Sequence, residues 1–333
     1  MFDAREKKLR LVRTWASRHP TWCAWQVTYR CNFRCRFCHY WCDPLGKQPE
    51  PTLEQYAVGA RKLASYGTLL VSLAGGEPML RPELPQIVRE VGRYHFPFVT
   101  TNGWFVTEET ARQLMEAGVW GVSVSIDYAD ADRHDTKRSM DGAWEQAWRA
   151  VELLSAARMQ KWQRVNVMAV LMDDNIDEME GLIRLAGRYG ACFMVQPYCD
   201  LKSGKGEYSP RASVSGRLLE LKKKYKNFLS NPLFLSRFDA ALDGGVPGCA
   251  AGRAFFNIDN YGYVAKCVEA LDRPVANILR DAPQSIMASL KDAHRANSCT
   301  ACWYNCRGEV ESIYFPRGFL AALPTILVSS GMN

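Results

Sequence analysis

The chain predicts an α/β fold: a partial (β/α)6 TIM-type barrel followed by a small cysteine-rich domain. Three observations carry that reading. From Trp22 to about Pro197, short apolar or β-branched runs alternate with amphipathic stretches, the pattern of a parallel sheet joined by helical crossovers. A C-x3-C-x2-C run, Cys31, Cys35 and Cys38, follows the first apolar run. Cys249, Cys267, Cys299, Cys302 and Cys306 then cluster far downstream. Eight βα units would close a barrel, and six leave it open, with its site at the C-terminal ends of the strands.

At 333 residues, 47% apolar and 23% charged, the chain has the composition of a globular protein with one large domain, or one plus a smaller. The formal charge of +7 fits an acidic partner or an anionic surface. No concentrated Lys/Arg tract points to nucleic acid. Met1 to Lys8 has no signal-type apolar core, and no run approaches the ~20 apolar residues of a spanning helix. Twelve cysteines without a secretion signal predict metal ligation in a reducing compartment, hence a cytoplasmic location.

Residues 1–20 predict a basic surface helix, with Leu9, Val12 and Trp15 at three-residue steps. Strands are predicted at 24–28, 68–73, 97–101, 121–126, 164–171 and 192–196. Between them, Glu108 to Ala117 reads as a helix with Thr107 as N-cap, two glutamates in its first turn and Gly118 past its end. A second, from Gly142 to Arg158, places Trp144, Ala147, Val151 and Leu154 on one face. The barrel core is assigned to 21–200 and a helical linker to 201–245. In that linker a basic helix near Leu218–Phe228 exposes Lys222-Lys223-Lys224 as a solvated face. A cysteine-rich unit at 246–310 and an apolar tail at 311–333 complete the chain.

Three thiolates within eight residues can converge on one 4Fe–4S cluster and leave one iron open to an exogenous ligand. Zinc, with His39 or Cys42 as a fourth ligand, is the alternative. With Phe37 before the last cysteine and a strand before the first, the motif resembles that of the radical S-adenosylmethionine (SAM) superfamily. The resemblance implies that the open iron binds SAM. An electron, from a reducing system such as flavodoxin or ferredoxin, then cleaves SAM to a 5′-deoxyadenosyl radical. Later strand ends resemble the family in order. Gly75-Gly76-Glu77-Pro78 is similar to the segment that holds the SAM amino group; the glycines permit close approach, and Glu77 can accept from an ammonium. Thr100-Thr101-Asn102-Gly103 ends the third strand. Ser125 and Asp127, with His134, Asp135 and Arg138, resemble the S-x-D…H-D-x-x-R pattern of members that modify peptides, although Tyr128 stands where the family often has glycine. Ser125 is thereby expected near the SAM ribose or carboxylate and Arg138 on the carboxylate, with His134 structural. Asn166, Val167, Gln196 and Pro197 are expected around adenine and ribose. The implied SAM-binding set is Phe37, Gly75, Gly76, Glu77, Asn102, Ser125, Asp127, Arg138, Val167 and Pro197.

The downstream cysteines flank a predicted hairpin, 255–258 and 263–265 with its turn at Asp259-Asn260. This arrangement resembles the auxiliary-cluster region called SPASM, or its shortened form, twitch. Five thiols suffice for one auxiliary 4Fe–4S cluster with one to spare. The expected ligands are Cys249, Cys267, Cys299 and Cys302, with Cys306 an alternative to one of the last pair; structural zinc again competes. Cys23, Cys42 and Cys192 read as buried small side chains, and Cys199 as facing the cavity.

The function implied is hydrogen-atom abstraction from an unactivated carbon, the auxiliary cluster serving electron transfer or substrate ligation. The substrate classes are a peptide or protein and a small biosynthetic precursor. The N-terminal segment is too short for a winged-helix leader-binding domain. Arg5, Lys7, Lys8, Arg10, Arg13 and Arg18, with the apolar tail, raise a third class, a lipid or membrane-associated precursor reached by peripheral contact. A non-catalytic iron–sulfur or zinc protein binding RNA is the alternative from another class, and Gly75-Gly76-Glu77 argues against it.

Overall fold

The computed structural model describes residues 2–42 and 48–328. Helix α1 (Ala4–Ala16) precedes six parallel strands: β1 Trp22–Thr28, β2 Leu70–Gly75, β3 Phe96–Thr101, β4 Gly121–Ser125, β5 Arg164–Leu171 and β6 Cys192–Pro197. They are ordered β6-β5-β4-β3-β2-β1 across the sheet. The intervening helices are α2 Leu53–Ala64, α3 Leu84–Gly92, α4 Glu108–Glu116, α5 Ala131–Arg138, α6 Ala143–Ala156 and α7 Glu178–Arg188. Their starts follow local chemistry: Thr52 and Gln55 form a capping box on α2, and Thr107 accepts from Thr110 N at α4. Strand β2 runs two residues beyond its apolar stretch because Ala74 and Gly75 pair with Gln26 and Thr28 of β1.

Period-two alternation sorts the strand side chains. In β5, Val165, Val167, Ala169 and Leu171 join the main core with Leu182, Ile183 and Ala186 of α7. Asn166, Met168 and Val170 alternate with them and so stand on the opposite face.

Beyond β6 the structure departs from the sequence reading in two respects, the packing of residues 201–245 and the place of the hairpin. Residues 201–245 are not a free linker. Helices α8 (Ser215–Lys224), α9 (Pro232–Leu235) and α10 (Phe238–Leu242) put Leu218, Leu221, Phe234, Leu235 and Phe238 into the main core. The lysine triplet is accordingly only partly solvated: Lys222 Nζ donates to the Phe228 carbonyl, and Lys224 pairs with Glu180 at 2.6 Å.

The predicted hairpin forms, as β7 Phe255–Ile258 and β8 Tyr263–Ala265, but it is not a separate module. β7 pairs in parallel with β1, Trp22 to Phe255 through Trp25 to Ile258. With β9 (Ala276–Asn277) the result is one nine-stranded sheet. Finally, helices α11 (Pro283–Arg295), α12 (Asn305–Ser312) and α13 (Pro316–Val328) follow. The base of α13 docks on the protein. Phe319 stacks on Trp15 at 4.9 Å, and the Gly318 carbonyl accepts from Asn231 Nδ2 at 2.9 Å. Among the described residues no helix is long and apolar enough to cross a membrane.

Candidate active site

Thr28, the last residue of β1, lies beside Gly75, the last of β2. Gly76 donates its N–H to the Thr28 carbonyl and Glu77 to that of Arg30, both at 2.8 Å. A Cβ on Gly75 would stand 2.2 Å from the Thr28 carbonyl oxygen, and one on Gly76 2.2 Å from that of Arg30. Gly75 also has a φ of 134°, which L side chains rarely adopt. The paired glycines therefore serve the backbone of the cysteine loop as much as any ligand. That loop is held from the other side too, Arg36 N donating to the Lys137 carbonyl at the end of α5 at 3.0 Å.

Cys31, Cys35 and Cys38 line a cavity of about 210 Å³. Of the expected SAM-binding set, Phe37, Gly75, Gly76, Asn102, Ser125, Arg138 and Pro197 share that lining, and Glu77, Asp127 and Val167 do not. Glu77 is wholly buried, and its carboxylate accepts from Thr101 Oγ1 at 2.7 Å, Asn102 N at 2.7 Å and Met79 N at 2.9 Å. It joins the ends of β2 and β3 rather than offering free oxygens to an ammonium. Burial raises its pKa. Asp127 is equally buried and grips Arg138 at two points, 2.9 Å to Nε and 2.7 Å to Nη2. It acts through Arg138, whose guanidinium lies 5.6 Å over the Phe37 ring and lines the cavity as a fixed cation. Val167 is on the helix-facing side of β5. A slip of one residue exchanges the faces of a strand, and Val170 is the β5 residue in the lining. His134 Nδ1 accepts from Asp127 N at 3.3 Å; burial depresses its pKa well below the usual range and keeps it neutral.

The other cysteines surround a second cavity of about 490 Å³: Cys249, Cys267, Cys299, Cys302 and Cys306 all line it. Cys249 precedes β7 and Cys267 follows β8, so the hairpin sets their spacing. The segment around Cys302 is held by Arg307, a fully buried side chain. It donates to the carbonyls of Cys302 at 2.6 Å and Val246 at 2.5 Å and pairs with Glu311 at 3.2 Å. Glu311 in turn accepts from Ala250 N at 2.7 Å. One ion pair thus ties the segment around Cys249 to the segment around Cys302. Sequence reasoning missed Arg307, which reads locally as one more helical arginine.

Among the described residues no three His, Cys, Asp or Glu side chains are spaced to hold a single metal ion. Both donor sets nonetheless suit iron–sulfur centres: thiols around a cavity, backed in the first by a glycine cradle and a fixed cation. Burial pushes the Cys35 and Cys302 thiols up to about 12 and Cys267 to about 11. Such thiols ionise only against an electropositive centre, and loading one releases their protons. Cys23 is buried as expected. Cys192 is only partly buried, and Cys42 is exposed because its turn, Tyr40–Cys42, stands at the cavity rim.

Two residues at the join of the cavities complete the site. Cys199 lines the first, its Sγ donating to the Ala301 carbonyl at 3.6 Å. Tyr304 lines both cavities, a position nothing in its local sequence announces.

Comparison with known proteins follows this geometry. Residues 25–186 match the family model described as the radical SAM superfamily. The chain is 28% identical over 312 residues to the mycofactocin maturase MftC of Mycobacterium tuberculosis, covering 87% of this chain and 78% of that protein. It is 30% identical over 203 residues to an AdoMet-dependent heme synthase of Methanosarcina barkeri, covering 58% of this chain and 54% of the other. Among solved structures, Streptococcus suis SuiB bound to its precursor peptide SuiA superposes with a TM-score of 0.65 at 14% identity, over 86% of this chain and 68% of that one. The protein anSMEcpe, with bound AdoMet and the Kp18Cys peptide, superposes with a TM-score of 0.66 at 16% identity, over 93% and 99%. At these identities the two superpositions establish the fold alone.

Proposed function

We propose that this chain, which belongs to the radical SAM superfamily, modifies a peptide, with Cys31, Cys35 and Cys38 holding the SAM-binding 4Fe–4S cluster and four of the five downstream cysteines holding an auxiliary one. When bound, the cluster and SAM supply a carbon radical able to take hydrogen from an unactivated carbon. The chain's own residues bind, orient and exclude water. Arg138, aimed by Asp127, offers its charge to the SAM carboxylate. Asn102, Ser125 and Pro197 border the nucleoside, and the cluster of Phe37, Tyr128, Met172 and Tyr198 keeps one wall dry.

The observation that carries the reading is the shared wall: Tyr304 lines both cysteine cavities, so a substrate in the first lies next to the second. Similarity to a maturase over 87% of this chain and 78% of that protein supports a peptide as the substrate class.

Anaerobic reconstitution tests this. About eight irons per chain are expected, one cubane's worth in each cavity, together with deoxyadenosine release from SAM under dithionite. Incubation with candidate precursor peptides should then give a mass change that depends on SAM. Deoxyadenosine release with no peptide altered, but a porphyrin or sugar precursor consumed, would overturn the substrate class while leaving the chemistry standing.

A further inference from the structure

Away from both cysteine cavities, Arg18, His19, Arg253, Lys291, His294 and Arg295 line one open cleft of about 590 Å³, and no acidic side chain lines it. Of its arginines and lysine, only Arg295 is in an ion pair among the described residues, with Asp292 at 2.9 Å. Two helix C-termini end here, that of α1 just before Arg18 and that of α11 at Arg295. Roughly half a negative charge at each does not offset four cations. Arg18 has a φ of 55°, the left-handed position past a helix end where glycine is usual; the chain places a cation there instead. On α11, Met287, Lys291 and His294 recur at helical spacing and share one face, beside the buried Ile286 and Leu290.

The wall of this cleft is also a wall of the auxiliary cavity. Gly252 and Arg253 line the cleft, and Cys249 and Ala251 line the cysteine cavity. His294 Nδ1 approaches the Ala251 carbonyl at 3.2 Å, and Asn297 Nδ2 donates to the Cys249 carbonyl at 2.9 Å. One thickness of chain, residues 249–253, separates the two. The cleft lies at the N-terminal end of β1, whereas the core cysteines follow its C-terminal end, about 20 Å away along the strand. A ligand in the cleft is therefore beside the auxiliary cysteines and remote from the substrate cavity.

We infer that this cleft docks an acidic one-electron carrier protein of the flavodoxin or ferredoxin type. The inference rests on the reading of Cys249 as an auxiliary-cluster ligand. One electron leaves the reduced carrier and enters the iron–sulfur centre of the enzyme, and no atom is transferred.

The test uses the reconstituted full chain, a bacterial flavodoxin as probe, and the double variant Arg253→Glu/Lys291→Glu. In wild type, association with oxidised flavodoxin should weaken steeply as salt rises. In the variant it should be slower by about tenfold or more at low ionic strength, the gap closing at high salt. Flavodoxin-driven reduction should fall in parallel, with iron content and dithionite-driven deoxyadenosine release unchanged. The neutral pair Arg253→Gln/Lys291→Gln should lie between, which separates charge from misfolding. Equal flavodoxin association by wild type and variant would overturn the inference. So would loss of polyglutamate-peptide binding with flavodoxin association intact, which would make the cleft an acidic-peptide site. If wild type binds flavodoxin in the expected way but never cleaves SAM, the proposed function fails and the docking surface stands.

Discussion

The core thiols sit in one loop, Cys31 to Cys38, clamped between the ends of adjacent strands by main-chain hydrogen bonds. The auxiliary thiols, Cys249 to Cys306, come from a hairpin, a loop and a helix, and a buried ion pair between Arg307 and Glu311 brings them together. The first site is one contiguous loop held at several main-chain points, by Gly76 and Glu77 on one side and Lys137 on the other. The second depends on one desolvated contact, and breaking that contact leaves a buried charge without its partner. The difference teaches where each site is fragile.

The largest expected effect breaks the comparison at its first term. Changing Cys31, Cys35 and Cys38 together to Ala should remove about four irons per chain and abolish deoxyadenosine formation, while the auxiliary iron persists. Residual SAM cleavage under dithionite in this variant would remove the core assignment.

Next is Arg307→Met, which strands Glu311 and should cost about 3–5 kcal/mol. Iron analysis should show the auxiliary complement lost and the core complement kept, with uncoupled SAM cleavage continuing. The double change Arg307→Met/Glu311→Leu should recover much of the melting temperature but not the auxiliary iron. Recovery of both would show that the pair merely fills space.

Gly76→Ala tests the clamp on the core loop. Its Cβ would meet the Arg30 carbonyl, a strain of about 1–3 kcal/mol, and SAM affinity measured by calorimetry should fall with auxiliary iron unaffected. Unchanged affinity would mean that the glycine pair is not needed for the clamp.

The smallest effect concerns Glu309 on α12, whose carboxylate accepts from Asn231 N at 3.1 Å and is pushed by burial up to about 7. Because the folded value lies above the unfolded one, near 4.5, the group contributes stability at low pH that is lost as pH rises from about 4.5 through 7. Glu309→Gln should therefore melt a few degrees higher than wild type at pH 8 and no higher at pH 5. A pH-independent difference would place the cause in packing.

Much of the core was legible because its determinants are local. The apolar runs became β1 to β6 within a few residues, Thr107 capped its helix, and Cys31, Cys35 and Cys38 came to line one cavity with Gly75, Gly76, Asn102, Ser125 and Arg138. Glu77 and Asp127 are in the motif, but what they bond to depends on strands and helices distant in sequence. Val167 failed for another reason. An apolar run fixes a strand without fixing which alternate residues face inward, and that is set by the register with its neighbours.

By itself the sequence determined the strand–helix alternation, the contiguous cysteine loop and its glycine partner, because periodicity and turn chemistry act over a few residues. Only the tertiary structure decided that β7 pairs with β1, so that the auxiliary hairpin extends the barrel sheet. It alone placed Tyr304 in the wall of both cavities, buried Arg307 among the carbonyls of Val246 and Cys302, and gathered Arg18, Arg253 and Lys291 around one cleft. Each of those contacts joins residues far apart in the chain, and their energies come from burial and pairing that no local pattern encodes.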